Sequence, residues 1–187
     1  MALRSRPILT FFLLGGLVFG VYSMSLSNPF HYDDLHSIRD NPHIRTLGNI
    51  PTFFTRPDYF TSDPRSAMYR PLVLVSYTLN YALDQLEVRS YHWVNIGIHS
   101  VNSGLVFLLA QVLLRRRAVA LLAAVIFALH PVNSEVVNYI SSRSESLCAL
   151  FFLASLLAYI QARAVDRFRP FFYGLSLGAF AGALLCK

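Results

Sequence analysis

The chain has 187 residues, 55% of them hydrophobic and only 14% charged, with a formal net charge of +6. An ordinary water-soluble domain carries about a quarter charged residues, so the composition excludes that class and points to an integral membrane protein. The two cysteines, Cys148 and Cys186, sit inside or at the ends of apolar stretches and indicate free buried thiols, with no disulfide framework.

In chain order, residues 7–26 are the first apolar run, about 20 residues and enough to cross a bilayer. Arg4 and Arg6 precede it, and Ser23, Ser25 and Ser27 lie near its end, which is also the outline of a signal peptide. The run is long for a signal-peptide core, which favours a retained helix. With or without cleavage, the segment after Ser27 lies on the same side of the membrane.

Residues 27–91 form a polar loop. Asn28-Pro29, Asn41-Pro42, Arg56-Pro57 and Asp63-Pro64 punctuate it into short turns. Phe53, Phe54, Tyr59 and Phe60 are expected at the lipid headgroups. Within the loop, residues 71–87 read as an amphipathic helix with Pro71 in its first turn. Leu72, Val75, Leu79, Leu83 and Leu86 mark one face; Ser76, Asn80, Asp84 and Glu87 mark another. That segment is expected to lie in or dip into the outer interface. Further spans are expected at 92–114, 118–132, 147–162 and 170–186. The fold class is therefore an all-α membrane protein, a single module over 1–187 with about five transmembrane helices and an interfacial helix in its first outer loop.

Arginine placement orients the module. Arg4 and Arg6, then Arg115, Arg116 and Arg117, then Arg163, Arg167 and Arg169 fall in alternate connections, as cytoplasmic segments do. The N-terminus is thus expected inside, with loop 27–91 and Lys187 outside. That loop carries six arginines (39, 45, 56, 65, 70, 89) against seven acids (33, 34, 40, 58, 63, 84, 87). The positive charge is a topology signal, with headgroup contact by the triple arginine as an alternative, and not a nucleic-acid footprint.

On the outer side Asp33 and Asp34 stand out, because carboxylates beside a membrane span are costly and mark a functional site by default. Neighbouring side chains diverge by about 100° on a helix and take opposite faces on a strand. One aspartate can act as a base while the other orients a neighbour or caps the turn near Ser37. His31-x-Asp33-Asp34-x-His36 has metal-ligand composition without closed zinc spacing; a divalent cation held by one aspartate and a substrate phosphate is an open alternative. Arg70 and Arg143 suit a phosphate, with surface or headgroup contact as the alternative. Arg143 is the only basic residue in its connection and is expected to meet an anionic partner. His92, His99 and His130 read first as buried hydrogen-bonding residues.

Together these residues carry a pattern. Tyr32-Asp33-Asp34-x-x-x-Ile38-x-x-Asn41-Pro42, Tyr69-Arg70-Pro71-Leu72 with Ser76 and Leu79-Asn80, and Tyr91-His92-x-x-Asn95 with His99 come first. Phe127-Ala128-Leu129-His130-Pro131-Val132 with Glu135, Val136, Arg143 and Glu145 completes it. The order resembles the transmembrane-and-TPR O-mannosyltransferase family and its bacterial relatives. The resemblance implies a GT-C glycosyltransferase architecture with a catalytic acid in the first outer loop. It implies a mannose-like sugar taken from a polyprenyl or dolichyl phosphate and given to a protein Ser/Thr or glycan hydroxyl. The setting would be the outer face of a bacterial cytoplasmic membrane, or the lumenal face of the endoplasmic reticulum. Carried over, Asp33 and Asp34 are the acid motif, Arg70 and Arg143 bind the donor phosphate, and Asn80, His92 and Glu135 support them. No metal ligand is assigned.

The family is longer, with further membrane helices and often a TPR domain, and its fifth span is followed by Lys-Glu. Here Lys187 is the last residue, so the chain is expected to be an N-terminal part, and activity is expected of the longer protein. Two other classes compete. One is a non-catalytic membrane subunit or docking module, with the aspartates as caps or partner contacts. The other is a transporter, disfavoured because no acidic residue lies deep in a span.

Overall fold

A computed structural model describes residues 7–165 and 168–187, and its regular structure is helical throughout. Three of the orienting arginines, Arg4, Arg6 and Arg167, lie outside the described residues. Helix α1 (Pro7–Tyr22) runs on into a 3-10 turn at Ser23–Ser27. After the loop come α2 (Pro71–Asp84), α3 (Val88–Leu114), α4 (Arg117–Leu129), α5 (Asn133–Asn138), α6 (Arg143–Ala164) and α7 (Arg169–Leu184).

Among the described residues, Ile8–Ser27, Val88–Leu114 and Ile140–Ala164 are long and apolar enough to cross a membrane. The 27 residues of α3 reach about 40 Å, more than the roughly 30 Å of a hydrocarbon core. With 13 and 16 residues, α4 and α7 are shorter than a full span, so a count of five rests on those two.

Helix limits reflect local chemistry. α2 stops at Asp84, short of the expected 87, because Gln85 adopts φ 54°. α3 starts at Val88, ahead of the expected 92. Arg115, in the left-handed region at φ 55°, closes α3. α4 stops at Leu129 because His130 precedes Pro131 and is extended, as a residue before proline tends to be. α6 begins at Arg143, ahead of the expected 147. Its first turns carry Ser144 and Ser146, which are buried in protein, so hydropathy alone misses them.

The lipid face is apolar and the helix contacts are small or polar. Ile8, Phe12 and Leu13 on α1, Leu122 and Ile126 on α4, and Phe171 and Leu177 on α7 are exposed, a surface suited to lipid and not to water. Where α1 crosses α3, a Cβ built on Gly104 would lie 2.2 Å from the Phe11 ring. Between α6 and α7, Ser155 Oγ donates to the Ser176 carbonyl at 2.8 Å and Ser176 Oγ returns a bond at 3.0 Å, a polar clasp typical of membrane helix pairs.

Arg117 donates to Thr10 Oγ1 at 3.3 Å, placing the α3–α4 turn beside the start of α1. The arginines of that turn, with Arg163 and Arg169 at the α6–α7 turn, occupy one end of the bundle. The loop, α2 and α5 occupy the other.

At that other end the loop is built into the protein. A π turn (Leu35–Arg39) and 3-10 turns at His43–Arg45, Leu47–Phe54, Pro57–Phe60 and Pro64–Ser66 fold back on α2. Asn41 clamps them: its Nδ2 donates to the Ser37, Tyr59 and Phe60 carbonyls, and its Oδ1 accepts from the His43 N–H. Phe53 and Phe60, expected among headgroups, are buried with Ile38, Ile44, Val73, Leu74 and Tyr77. α2 packs on the protein through a face other than the expected apolar one. Val73, Leu74, Tyr77 and Asn80 face inward, while Leu79 and Leu83 are exposed, the latter at 82%.

Candidate active site

Just before the aspartate pair, Tyr32 adopts φ 49°, a left-handed turn that costs a non-glycine residue about 1–2 kcal/mol. The turn sends the two carboxylates apart. Asp34 is fully buried. Its Oδ1 accepts from the Ser141 N–H at 2.8 Å and the Ser141 hydroxyl at 2.6 Å, and its Oδ2 accepts from the His31 N–H at 3.3 Å. Burial pushes the Asp34 carboxyl above the usual carboxylate range, and these donors pull it back. The alternative role, a cap on amides near Ser37, is not the one the Asp34 side chain takes; its bonds run to Ser141 and His31.

Asp33 is 62% exposed. Its N–H donates to the Tyr139 hydroxyl at 2.9 Å. His36 Nε2 lies 3.4 Å from Asp33 Oδ1, while His36 Nδ1 is 2.7 Å from Thr61 Oγ1. The Thr61 hydroxyl also reaches the His36 carbonyl, so His36 bridges Thr61 and Asp33. Tyr139, pushed up to about 12 by burial, stays a phenol. Having accepted the Asp33 N–H, it keeps its own proton to donate.

Asp33 lines a cavity of about 410 Å³ together with His36, Arg70, Glu135, Tyr139 and Glu145. Arg70 Nη1 donates to Ser144 Oγ at 3.1 Å, and its guanidinium sits 5.8 Å from the Phe60 ring centre. Ser144 Oγ donates on to Glu145 Oε2 at 2.6 Å, and Lys187 pairs with the other Glu145 oxygen. One wall therefore carries a chain of bonds from Arg70 through Ser144 and Glu145 to Lys187.

Arg143 stands elsewhere. It is fully buried and its donors are committed: Nε to Asn95 Oδ1 at 2.8 Å, Nη1 to Asn80 Oδ1 at 2.8 Å, and Nη2 to the Tyr91 carbonyl at 2.9 Å. The Tyr77 and Tyr91 rings lie 4.9 and 5.5 Å from its guanidinium carbon, within cation–π range. The expected anionic partner is replaced by neutral oxygens and two aromatic faces, and the guanidinium is enclosed in this buried cage. Asn80 serves the cage, with its Nδ2 3.2 Å from Ser90 Oγ. His92 is buried, and its Nε2 holds the Asn28 carbonyl at 3.1 Å; it does not line the cavity.

Of the residues singled out from sequence, Asp33, Arg70 and Glu135 share the cavity, and Asp34 lies beneath it. Arg143, Asn80 and His92 lie behind it. Tyr139 and Ser141 were not singled out as site residues, and nothing in their spacing marks them. His36 was legible only within His31-x-Asp33-Asp34-x-His36, where it read as part of a metal-ligand composition. Among the described residues, no three His, Cys, Asp or Glu side chains converge as a metal-ligand set.

No family model matches the chain, and no solved structure matches it. The chain is 33% identical over 181 residues to Protein O-mannosyl-transferase TMTC3 of Homo sapiens, covering 94% of this chain and 20% of that protein. It is 33% identical over 164 residues to Protein O-mannosyl-transferase TMTC2 of Homo sapiens, covering 85% and 19%. It is 31% identical over 190 residues to Protein O-mannosyl-transferase TMTC1 of Homo sapiens, covering 94% and 21%. The chain thus spans about a fifth of the length of these relatives. The similarity supports the O-mannosyltransferase family to which the motifs pointed.

Proposed function

The chain is a relative of the protein O-mannosyl-transferases, and from that premise we propose that it carries the acid-bearing part of a GT-C-type membrane glycosyltransferase. The donor is a polyprenyl- or dolichyl-phosphate sugar, mannose-like. The acceptor is a Ser or Thr hydroxyl of a protein, with a glycan hydroxyl as the alternative. α4 and α7 complete the crossings, and the cavity opens on the non-cytoplasmic face, opposite the arginine-rich end.

One observation supports this reading above the others: the exposed Asp33 carboxylate and the Arg70 guanidinium line the same cavity, which sits at the end of a membrane bundle. Asp33 takes the proton of the acceptor hydroxyl as that oxygen bonds to the anomeric carbon. The bond from that carbon to the phosphate oxygen breaks, and its electron pair leaves on the phosphate. Arg70 offers N–H groups to the developing charge. His36 Nε2, 3.4 Å from Asp33, can relay the proton outward. Asp34 holds the turn on Ser141 and so keeps Asp33 aimed. A divalent cation, if used, would rely on the donor's phosphate oxygens together with Asp33 or Glu145, and would add charge opposite the leaving group.

The test is transfer of labelled mannose from a polyprenyl-phosphate donor to a threonine peptide by the full-length protein in lipid. Transfer is expected, and it should fall when Asp33 is changed to Asn. Absence of transfer, alongside recovery of a stable complex with another membrane protein, would favour the docking reading.

A further inference from the structure

On the other side of Tyr139 lies a second cavity, of about 470 Å³. Glu135 and Tyr139 line both cavities and form the partition between them. The two differ in charge. Arg70 stands in the first, whereas among the described residues neither arginine nor lysine lines the second. A lipid phosphate therefore has its partner in the first cavity and none in the second.

The second cavity is furnished with acceptors. Asn138 lines it, and Asn138 Oδ1 is buried and meets no donor among the described residues. A buried oxygen left without a donor is costly, and with the Asn138 side chain turned toward the cavity a ligand N–H removes that cost. The Glu135 carboxylate stands on the same wall. The rim is aromatic. Tyr32 is 80% exposed in its left-handed turn, His31 packs edge-to-face on it at 5.5 Å, and the His31 ring also lies 4.9 Å from the Tyr139 ring. The residue after Tyr32 is Asp33, so a chain lying along this rim reaches the base of the first cavity.

We propose that this second cavity is the acceptor subsite, taking an extended peptide whose backbone N–H groups bond Asn138 and Glu135 while its Ser or Thr hydroxyl crosses the Tyr139 partition to Asp33. The assignment rests on the transferase reading above and adds where the acceptor sits. One unpartnered amide oxygen, a carboxylate, the lack of arginine or lysine among the described lining residues and an aromatic rim match a neutral peptide backbone better than they match a phosphate.

Binding separates this idea from the reading it rests on, because it is read without turnover. The full-length protein in nanodiscs is titrated with a fluorescein-labelled threonine-containing peptide. Asn138→Leu removes the acceptor at nearly constant volume, and Ser134→Trp fills the cavity from its rim. Each should weaken peptide binding about tenfold, the loss of one to two hydrogen bonds or of the space itself. Arg70→Ala should bind the peptide as wild type does, even where transfer is lost. The subsite is overturned if Asn138→Leu and Ser134→Trp bind like wild type in folded protein, or if Arg70→Ala loses peptide equally. It is also overturned as a peptide site if a mannose oligosaccharide binds there in place of the peptide. Peptide binding that behaves as expected in a protein without transfer would sink the enzymatic reading and leave the subsite standing.

Discussion

Ser141 gives Asp34 both of its hydrogens, the backbone N–H at 2.8 Å and the hydroxyl at 2.6 Å, across 107 positions of sequence. This pair ties the first loop to the start of α6 and divides the labour of two adjacent carboxylates. One is a buried anchor and the other faces the cavity.

Removing the anchor should cost stability. Asp34→Ala strands the Ser141 N–H, the Ser141 hydroxyl and the His31 N–H, each worth about 1–3 kcal/mol when buried and unpaired. Asp33→Ala removes an exposed side chain and should move stability by less than about 0.5 kcal/mol. Thermal unfolding in detergent, followed by size-exclusion profile, should show a clear drop for the first and almost none for the second.

The same anchor has a pH signature. Burial raises the Asp34 carboxyl in the folded state above the ordinary value, about 3.9 in an unfolded chain. Folded protein then binds more protons across that window, so stability falls as pH rises through it and levels off above the folded value. Asp34→Asn has no such titration. The melting temperature of wild type minus that of Asp34→Asn should therefore decline as pH is raised from about 4, and should be flat once the window is passed. A difference that widens with pH would contradict the burial account.

Arg70 and Arg143 should part company. Arg70→Ala is expected to raise the donor KM about tenfold or more with little change in stability, since a charge-assisted bond is worth about 1.5–3 kcal/mol. Arg70→Lys should recover part of it, lacking the paired geometry of a guanidinium. Arg143→Met should instead destabilise the fold, because it strands the Asn95 Oδ1, Asn80 Oδ1 and Tyr91 carbonyl acceptors, each costing about 1–3 kcal/mol when buried and unpaired, seen as lost folded protein in detergent. Arg143→Lys should be intermediate in stability and leave the donor KM unchanged.

This split was only half legible in sequence. Both arginines have phosphate-binding chemistry, and Arg143, expected to meet an anionic partner, meets neutral oxygens and aromatic rings instead. Which partner it has depends on long-range packing: Asn80 on α2, Asn95 and Tyr91 on α3 meet Arg143 at the start of α6, and no local spacing reports that meeting. The divergence of Asp33 and Asp34 was legible from geometry alone, since adjacent side chains cannot share a direction. Which of them turns inward was not, because it depends on Ser141, far along the chain. The helices were largely legible because their apolar runs are long. The ends of α2 and α6 were not, since one is set by the backbone angle of Gln85 and the other by serines buried in protein. The outward Leu79 and Leu83 of α2 show the remaining ambiguity, because periodicity identifies an apolar face without saying whether protein or lipid covers it.

Packing between spans makes a separate prediction. Gly104 lies against the Phe11 ring, where even a Cβ would sit at 2.2 Å. Gly104→Leu should separate α1 from α3 and lower the melting temperature. Pairing it with Phe11→Ala should restore part of the loss, a coupling that a double-mutant cycle measures.

The decisive comparison is the rate of labelled mannose transfer from a polyprenyl-phosphate donor by full-length wild type, Asp33→Asn and Asp34→Asn, each checked for folding. Asp33→Asn should lose about 10²–10⁴ in kcat, the range for a general base, at unchanged melting temperature, while Asp34→Asn should lose less activity per folded molecule. Wild-type transfer by folded Asp33→Asn would remove Asp33 as the base and contradict the assigned site.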